Sequence, residues 1–181
     1  MVAEKLWFSH SVEGLFVRGL GPRLTPALRA KVLAQGIDLD RLKPGYPIED
    51  IVAVCRALLP SLWPTLSEAE GFQLLGNALL QGYSQTLLGT AMVQMMKLIG
   101  PRRSLERMQK NFRTGGNYIE TRFTALGPTS VELWLSDVTG VPTFWAGMVE
   151  EGARMTGTKN IRVVVHAESP PSATLRVDWD A

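Results

Sequence analysis

The chain has one cysteine, Cys55, and two histidines, His10 and His166, in 181 residues. A lone cysteine excludes an intramolecular disulfide and fits a reducing compartment. No HExxH or CxxC spacing is present, so the common zinc-binding patterns are absent. There is no GxSxG turn for a nucleophilic serine and no glycine-rich phosphate loop. The first residues, MVAEKLWFSHSVEG, lack a basic segment followed by a long apolar one, so no secretory signal is expected and the expected location is cytoplasmic.

Charge is also missing from one long stretch. No residue between Glu70 and Lys97 carries one. A membrane-spanning helix needs about 20 predominantly apolar residues. Gln73, Asn77, Gln81, Ser84, Gln85 and Gln94 interrupt this run, as do Gly76, Gly82 and Gly89. The segment therefore reads as buried protein interior, with no membrane span. Elsewhere the composition is that of a globular protein, with 45% hydrophobic and 20% charged residues. The formal net charge is +2, with basic residues scattered rather than gathered on one broad face, so no nucleic-acid partner is expected.

Chain punctuation places the elements. KLWFSHSVEGLFVRGL, rich in aromatic and β-branched residues, reads as extended structure bent at Gly14 and Gly19. Thr25 caps a helix opened by Pro26 and stopped by Gly36. A second helix starts near Pro47, with Glu49 and Asp50 in its first turn, and Pro60 and Pro64 break the chain around Trp63. Two overlapping capping boxes, Thr65 with Glu68 and Ser67 with Glu70, open the uncharged helical region. It runs to Ile99 with a bend near Gly82, and Gly100-Pro101 stops it. A further helix spans PRRSLERMQKNFRTG, closed by Gly115 or Gly116 in the left-handed conformation.

The last third alternates in the manner of strands. Tyr118–Ala125 and TSVELWLSDV form one hairpin, a proline-opened helix VPTFWAGMVEEGARMTG follows, and IRVVVHAE with ATLRVDWD forms a second hairpin. The expected fold class is α+β: a helical N-terminal half, then an antiparallel four-stranded ββαββ sheet with helices packed on one face. One domain is expected over 1–181, mostly helical in 1–100 and α-ββ-α-ββ in 101–181.

Candidate chemistry is sparse. His166 on a strand reads as an edge or core histidine, and Cys55 on an apolar helix face as a small hydrophobe. Arg103, Arg107 and Lys110 fall on one helical face and Arg113 follows. They form either a solvated surface or a docking face for an anion or acidic partner. Methionine fills irregular space and lines adaptable pockets. Met92, Met95 and Met96 cluster, and Met108 and Met148 lie in neighbouring elements. With Tyr83, Leu87, Phe123 and Trp145 they are the candidate lining of a hydrophobic ligand pocket, to which the stripe Gln73, Asn77, Gln81, Gln85 could add polar contacts. The alternative is that they are simply core. Likewise Gly76, Gly82 and Gly89 either let helices approach or leave room for a ligand.

Several motifs occur in order: VEGLFVRGLG, GIDLDRLKPGYP, LLGNALLQGYSQTLLGTAM, LIGPRRSLERMQKNFRTGGNYIETRF and the terminal RVDW. They resemble the myxobacterial paralogous family of uncharacterised proteins, a likeness that covers nearly the whole chain and implies no activity. The helical first half, the ββαββ end and the glycine-bearing helix VPTFWAGMVEEG are distantly similar to the superfamily of haem-dependent nitric-oxide-binding, vinyl-4-reductase and TRAPP domains. That likeness implies small-molecule binding or a dimeric scaffold. Haem would call for a proximal histidine in the helical region. None lies between His10 and His166, so the expectation is no cofactor. The leading reading is a non-enzymatic binding domain, a sensor or adaptor for a hydrophobic small molecule that acts through a homodimer or protein partner. The alternatives are an interaction protein that dimerises without ligand and a reductase-like enzyme.

Overall fold

The computed structural model describes residues 4–180. Two layers meet along one helix. The C-terminal sheet has strand order β3-β4-β6-β5, with every neighbouring pair antiparallel. Its strands are β3 (Thr121–Gly127), β4 (Ser130–Leu135), β5 (Arg162–Ser169) and β6 (Ser172–Asp178). Alternation in β4 and β6 sends Val131, Leu133, Leu135, Ala173, Leu175 and Val177 into the core. The opposite face carries Glu132, Trp134 and Arg176. There Arg122 of β3 stacks over the Trp134 ring, 4.3 Å from its centroid. The expected ββαββ order and α+β class are both present.

Helix α7 (Pro142–Met155) links the two hairpins and packs on β5 and β6 on one side and on α4 (Glu68–Tyr83) on the other. The α4–α7 contact is close because it is glycine-made. A Cβ at Gly76 would overlap the Phe144 carbonyl oxygen, and one at Gly147 would overlap that of Gln73. This resolves one open choice: Gly76 brings helices together. The Gln73 amide donates to Glu150 of α7 at 3.0 Å. The Asn77 amide is placed to donate to the Gly147 and Gln73 carbonyls. Gln73 and Asn77 of the polar stripe thus face α7 with their amides bonded, whereas Gln81 is exposed.

The start of α4 follows its capping chemistry. Ser67 N–H donates to Glu70 Oε2 at 2.9 Å, and Glu70 N–H donates to Ser67 Oγ at 3.3 Å. Thr25 caps α2 (Pro26–Ala34), and α3 (Ile48–Leu62) runs on through Pro60 to Leu62. A proline this near the C-terminus removes one hydrogen bond without ending the helix. Helix α5 (Leu87–Glu106) is broken at Gly100, whose φ of 76° and ψ of 175° are not helical, and Pro101 follows. Arg107 then separates it from α6 (Met108–Gly115). The single helix expected over 101–115 is therefore two pieces.

The N-terminal segment departs most from the expectation. Only Leu6–Phe8 is a strand, β1, paired with β2 (Gly45–Pro47). A helical turn, α1 (Ser9–Val12), and a π-helical stretch (Glu13–Gly19) follow. Val12, Leu15 and Phe16 are buried there, and Gly82 of α4 comes so close that a Cβ would overlap the Gly14 carbonyl oxygen. Tertiary packing against α4 overrides the strand propensity of these residues. Nearly all the buried apolar side chains, Met96 and Ala153 apart, form one continuous cluster from Trp7 to Trp179. Among the described residues, no helix is long and apolar enough to cross a membrane.

Candidate functional site

A cavity of about 80 Å³ lies where α4, α5, α6 and α7 meet the first strand. Each element contributes side chains that its own pattern directs inward. Helix α4 supplies Leu79, Leu80 and Tyr83; α5 supplies Met92 and Met96; α6 supplies Met108 and Phe112; α7 supplies Trp145, Met148 and Gly152. Trp7 and Ser11 close it from the N-terminal segment, and Tyr118 and Ile119 from the approach to β3. Along one side the lining residues Met92, Phe112, Thr114 and Tyr118 are half-buried or exposed, so that side faces the surface. Among the described residues, no charged side chain stands in the lining.

Aromatic rings hold the floor. The Trp145 ring meets Trp7, Phe112 and Phe144 edge-on, with centroids at 6.5, 5.5 and 5.4 Å. Its indole N–H donates to the Val138 carbonyl at 3.2 Å, so the ring is held at its polar end as well. The rim is polar. Ser11 Oγ donates to the Gly115 carbonyl at 2.9 Å, His10 Nε2 bonds the Thr114 carbonyl, and the Tyr83 hydroxyl meets Thr114 Oγ1 at 3.4 Å. Residues 10 and 11 thus pin the end of α6 beside α4.

Asn117 adds a second clasp. Its Oδ1 accepts from Leu6 N–H at 2.8 Å, and its amide donates to the Glu4 carbonyl at 2.9 Å. The neighbouring glycines were expected to include a left-handed helix stop. Gly116 is instead fully extended, at φ −171° and ψ 177°. A Cβ there would stand 2.7 Å from the Leu6 carbonyl oxygen, so Gly116 is small because β1 runs against it.

Of the candidate pocket residues, Tyr83, Met92, Met96, Met108, Trp145 and Met148 are brought together in the lining. Leu87, Met95 and Phe123 are not. Leu87 is 90% exposed, while Met95 and Phe123 are half-buried outside the lining. The glutamine stripe is absent from the lining too. Arg103, Arg107, Lys110 and Arg113 are exposed and make no ion pair among the described residues, but the break at Arg107 interrupts their common face. Sequence reasoning missed Trp7, Ser11 and Tyr118 as part of the wall. Trp7 lay in the N-terminal segment read as extended, and only the fold carries that segment to α6.

Tyr118 has the most unusual environment of the set. Its hydroxyl is buried without a hydrogen-bond partner, the one such buried side-chain atom among the described residues. Thr139 and Trp7 lie beside it, and neither completes a hydrogen bond of good geometry. Burial, ahead of the Asp137 charge, pushes its pKa well above the usual tyrosine value, so it is a neutral donor. Asp137 itself is engaged: Oδ2 pairs with Lys5 Nζ at 2.7 Å, and Oδ1 accepts from Thr139 N–H at 2.8 Å.

Cys55 borders a second void of about 10 Å³, between α3 and the Phe144–Trp145 corner. Burial pushes its thiol up to about 12, the wrong direction for a nucleophile. His166 is exposed on β5, with Nε2 3.5 Å from Glu132 Oε1. Among the described residues, no group of three His, Cys, Asp or Glu side chains is gathered as a metal site would need.

Comparison with known proteins gives fold and family. No curated protein matches the sequence. Solved structures do. An H-NOX protein from S. oneidensis in the Fe(II)NO ligation state superposes with a TM-score of 0.76 at 10% identity, over 96% of this chain and all of that one. An oxygen-binding H-NOX domain related to soluble guanylate cyclases, solved as its oxygen complex, gives 0.70 at 10% identity over 96% of each chain. A structure described as "Modulating Heme Redox Potential Through Protein-Induced Porphyrin Distortion" gives 0.69 at 10%, also over 96% of each. These likenesses establish an H-NOX-like fold and bear out the distant resemblance read from the motifs. They also correct the expectation of no cofactor: the descriptions of two neighbours in this fold name haem, so the missing helical histidine was too narrow a ground for dismissing it. The family model described as "Protein of unknown function (DUF2378)" matches residues 5–180, and the chain belongs to that family.

Proposed function

We propose that this protein is a small-molecule-binding sensor domain whose ligand occupies the cavity between α4, α5, α6 and α7. The observation that carries the reading is the cavity wall: four methionines and five aromatic residues, with no charge among them. A native core of this size ordinarily fills such space, because packing density is close to that of organic crystals. Flexible thioethers adapt to an occupant at low cost. Helix α5, which supplies Met92 and Met96, also exposes Leu87, Leu88 and Leu98 and makes few contacts with the rest of the fold. It is the wall best able to move.

Haem is the group that the fold neighbours bring to this question. The apolar lining suits a porphyrin face, and the phenols of Tyr83 and Tyr118 and the methionine thioethers have iron-ligating chemistry. The volume does not suit it. A cavity of about 80 Å³ is roughly half the 150 Å³ apolar cavity that takes up benzene. Among the described residues, no Lys or Arg in the lining would meet the porphyrin carboxylates, and no histidine lines it. The residues in this conformation do not fit haem.

Native mass spectrometry of protein purified without detergent tests the proposal, with hemin titration followed by absorbance as a second arm. Retained small-molecule mass that is lost on denaturation supports a cavity ligand. A Soret band that shifts on binding, and that Tyr83→Phe or Met96→Leu alters, would identify that ligand as haem and show that α5 opens. Bare polypeptide mass together with no hemin binding would sink the sensor reading.

A second reading, a homodimer that needs no ligand, is favoured by α5. Leu87, Leu88 and Leu98 are 90%, 60% and 87% exposed, an unusual run of leucine for a free surface. Sedimentation of wild type against Leu88→Glu distinguishes a dimer held by this face from a monomer.

A further inference from the structure

Helix α5 turns apolar side chains outward as well as inward, and a dense run of positive charge follows its outer leucines. We propose that the stretch from α5 through α6 is a docking surface for an anionic phospholipid membrane. The α5 leucines enter the interface, and the arginines and lysines that follow meet the lipid headgroups. The proposal goes beyond the cavity reading and does not depend on it.

The first part of α5, residues 87–99, is apolar on two sides. Gly89 and Met96 are buried, and Met96 lines the cavity with Met92. On the other side Leu87, Ala91 and Leu98, at intervals of four and seven, form an exposed stripe with Leu88 beside it. Monomeric proteins rarely leave such a stripe bare. Its surroundings indicate what covers it. From Lys97 to Arg113 there are six Lys or Arg and one Glu, a net of +5 in a chain whose whole net charge is +2. The one acid, Glu106, pairs with Arg102 at 3.5 Å. Lys97, Arg103, Arg107, Lys110 and Arg113 are exposed and make no ion pair among the described residues. Arg103 and Arg107 are four apart, and Lys110 and Arg113 three apart, so each piece of the broken helix presents a pair on one side. Arg102 also donates to the Gly127 carbonyl at 3.0 Å, which sets the exposed Leu126 of β3 beside the same segment.

A second copy of the chain compensates this charge poorly. No Asp or Glu lies between Glu70 and Glu106, so α5 packed on α5 brings no acid to the basic end. Glu13 is held by Arg18, which also reaches the Gln85 carbonyl just before α5. An anionic bilayer supplies both halves, an acyl boundary for the leucines and phosphates for the cations. Residues 87–99 are about 20 Å long, too short for a hydrocarbon core of about 30 Å, so the helix lies along the surface and does not cross it.

Flotation of the full chain with two kinds of vesicle tests this: phosphatidylcholine alone, and phosphatidylcholine with about one-third phosphatidylglycerol. Wild type is expected to bind the anionic vesicles, to bind the neutral ones at least about tenfold more weakly, and to be released by added salt. The triple variant Arg103→Gln, Arg107→Gln, Lys110→Gln should lower the anionic partition coefficient on the order of a hundredfold, about fivefold per cation. The double variant Leu87→Gln, Leu98→Gln should lower it at least about tenfold. All five side chains are exposed, so both variants should melt with wild type, and two independent variants guard against a loss of fold in either. Wild type that binds neither vesicle, or both equally, overturns the proposal. So does binding that the leucine pair leaves unchanged, which is plain electrostatic adsorption. A lipid-free dimer that the leucine double variant dissociates, with no vesicle binding, overturns it in favour of a second copy on this face. None of these outcomes bears on the cavity reading, which the retained-mass and hemin experiments decide.

Discussion

Met96→Phe is the substitution that asks most directly whether the cavity is empty space. Met96 is 3% exposed on α5, with its side chain in the lining. Enclosed apolar volume left unfilled costs about 24 cal/mol per Å³, so a cavity of about 80 Å³ that opens along one side withholds at most about 2 kcal/mol from the folded state. Phenylalanine is bulkier and stiffer than methionine and would recover part of that, about 1 kcal/mol. For a chain of this length that corresponds to a rise in melting temperature of about 2–4 °C. Differential scanning calorimetry of ligand-free protein measures it. The same variant should bind apolar probes more weakly, because the ring occupies their place. Stability and binding are thus predicted to move in opposite directions. A fall of several degrees would refute the reasoning, since overpacking a filled core costs about 1–3 kcal/mol. A rise with probe binding unchanged would show that the probes bind elsewhere.

Other outcomes follow from the fold. Gly76→Ala should destabilise by about 2 kcal/mol or more in chemical denaturation: the new methyl overlaps the Phe144 carbonyl, and overpacking outweighs the helix propensity gained. The Glu70 carboxyl is held below its ordinary value by hydrogen bonds from Ser67. A depressed folded value gives stability that is present above the unfolded pKa of about 4.3 and is lost as pH falls through the folded one. Ser67→Ala should therefore flatten the acid limb of the melting-temperature profile, and an unchanged limb would exclude that role for the capping box. Cys55 is buried with its thiol pushed up to about 12, so at pH 8 a thiol reagent should label it only at the rate of unfolding. Fast labelling would show that α3 opens locally.

How much of this was legible in the sequence depended on whether the deciding contact was local. Ser67 and Glu70 are three residues apart, and their reciprocal bonds were readable from spacing alone. The alternation in β4 and β6 likewise marked them as strands without any tertiary knowledge. LWFSHSVEGLFV was misread because its aromatic and β-branched content favours strands, whereas packing against Gly82 from far along the chain imposes a π-helical stretch. The methionines of the cavity were legible because they sit in apolar helices with no charge nearby. Leu87 was not, since nothing local tells an exposed leucine from a buried one on a helix whose apolar residues lie all around. Tyr118 was read as the first residue of a strand. Its unpartnered hydroxyl emerges only when Trp7, Asp137 and Thr139, from three separate parts of the chain, close around it.

The central claim is that an apolar molecule enters between α4, α5, α6 and α7. Methionine methyl NMR tests it at the site itself. The chain has seven methionines, and four of them, Met92, Met96, Met108 and Met148, line the cavity. Titration with ethylbenzene should shift those four methyl signals together, with one common affinity, and leave Met95 and Met155 in place. Shifts confined to Met95, or the absence of any shift among the four up to the solubility limit of the probe, would contradict the account.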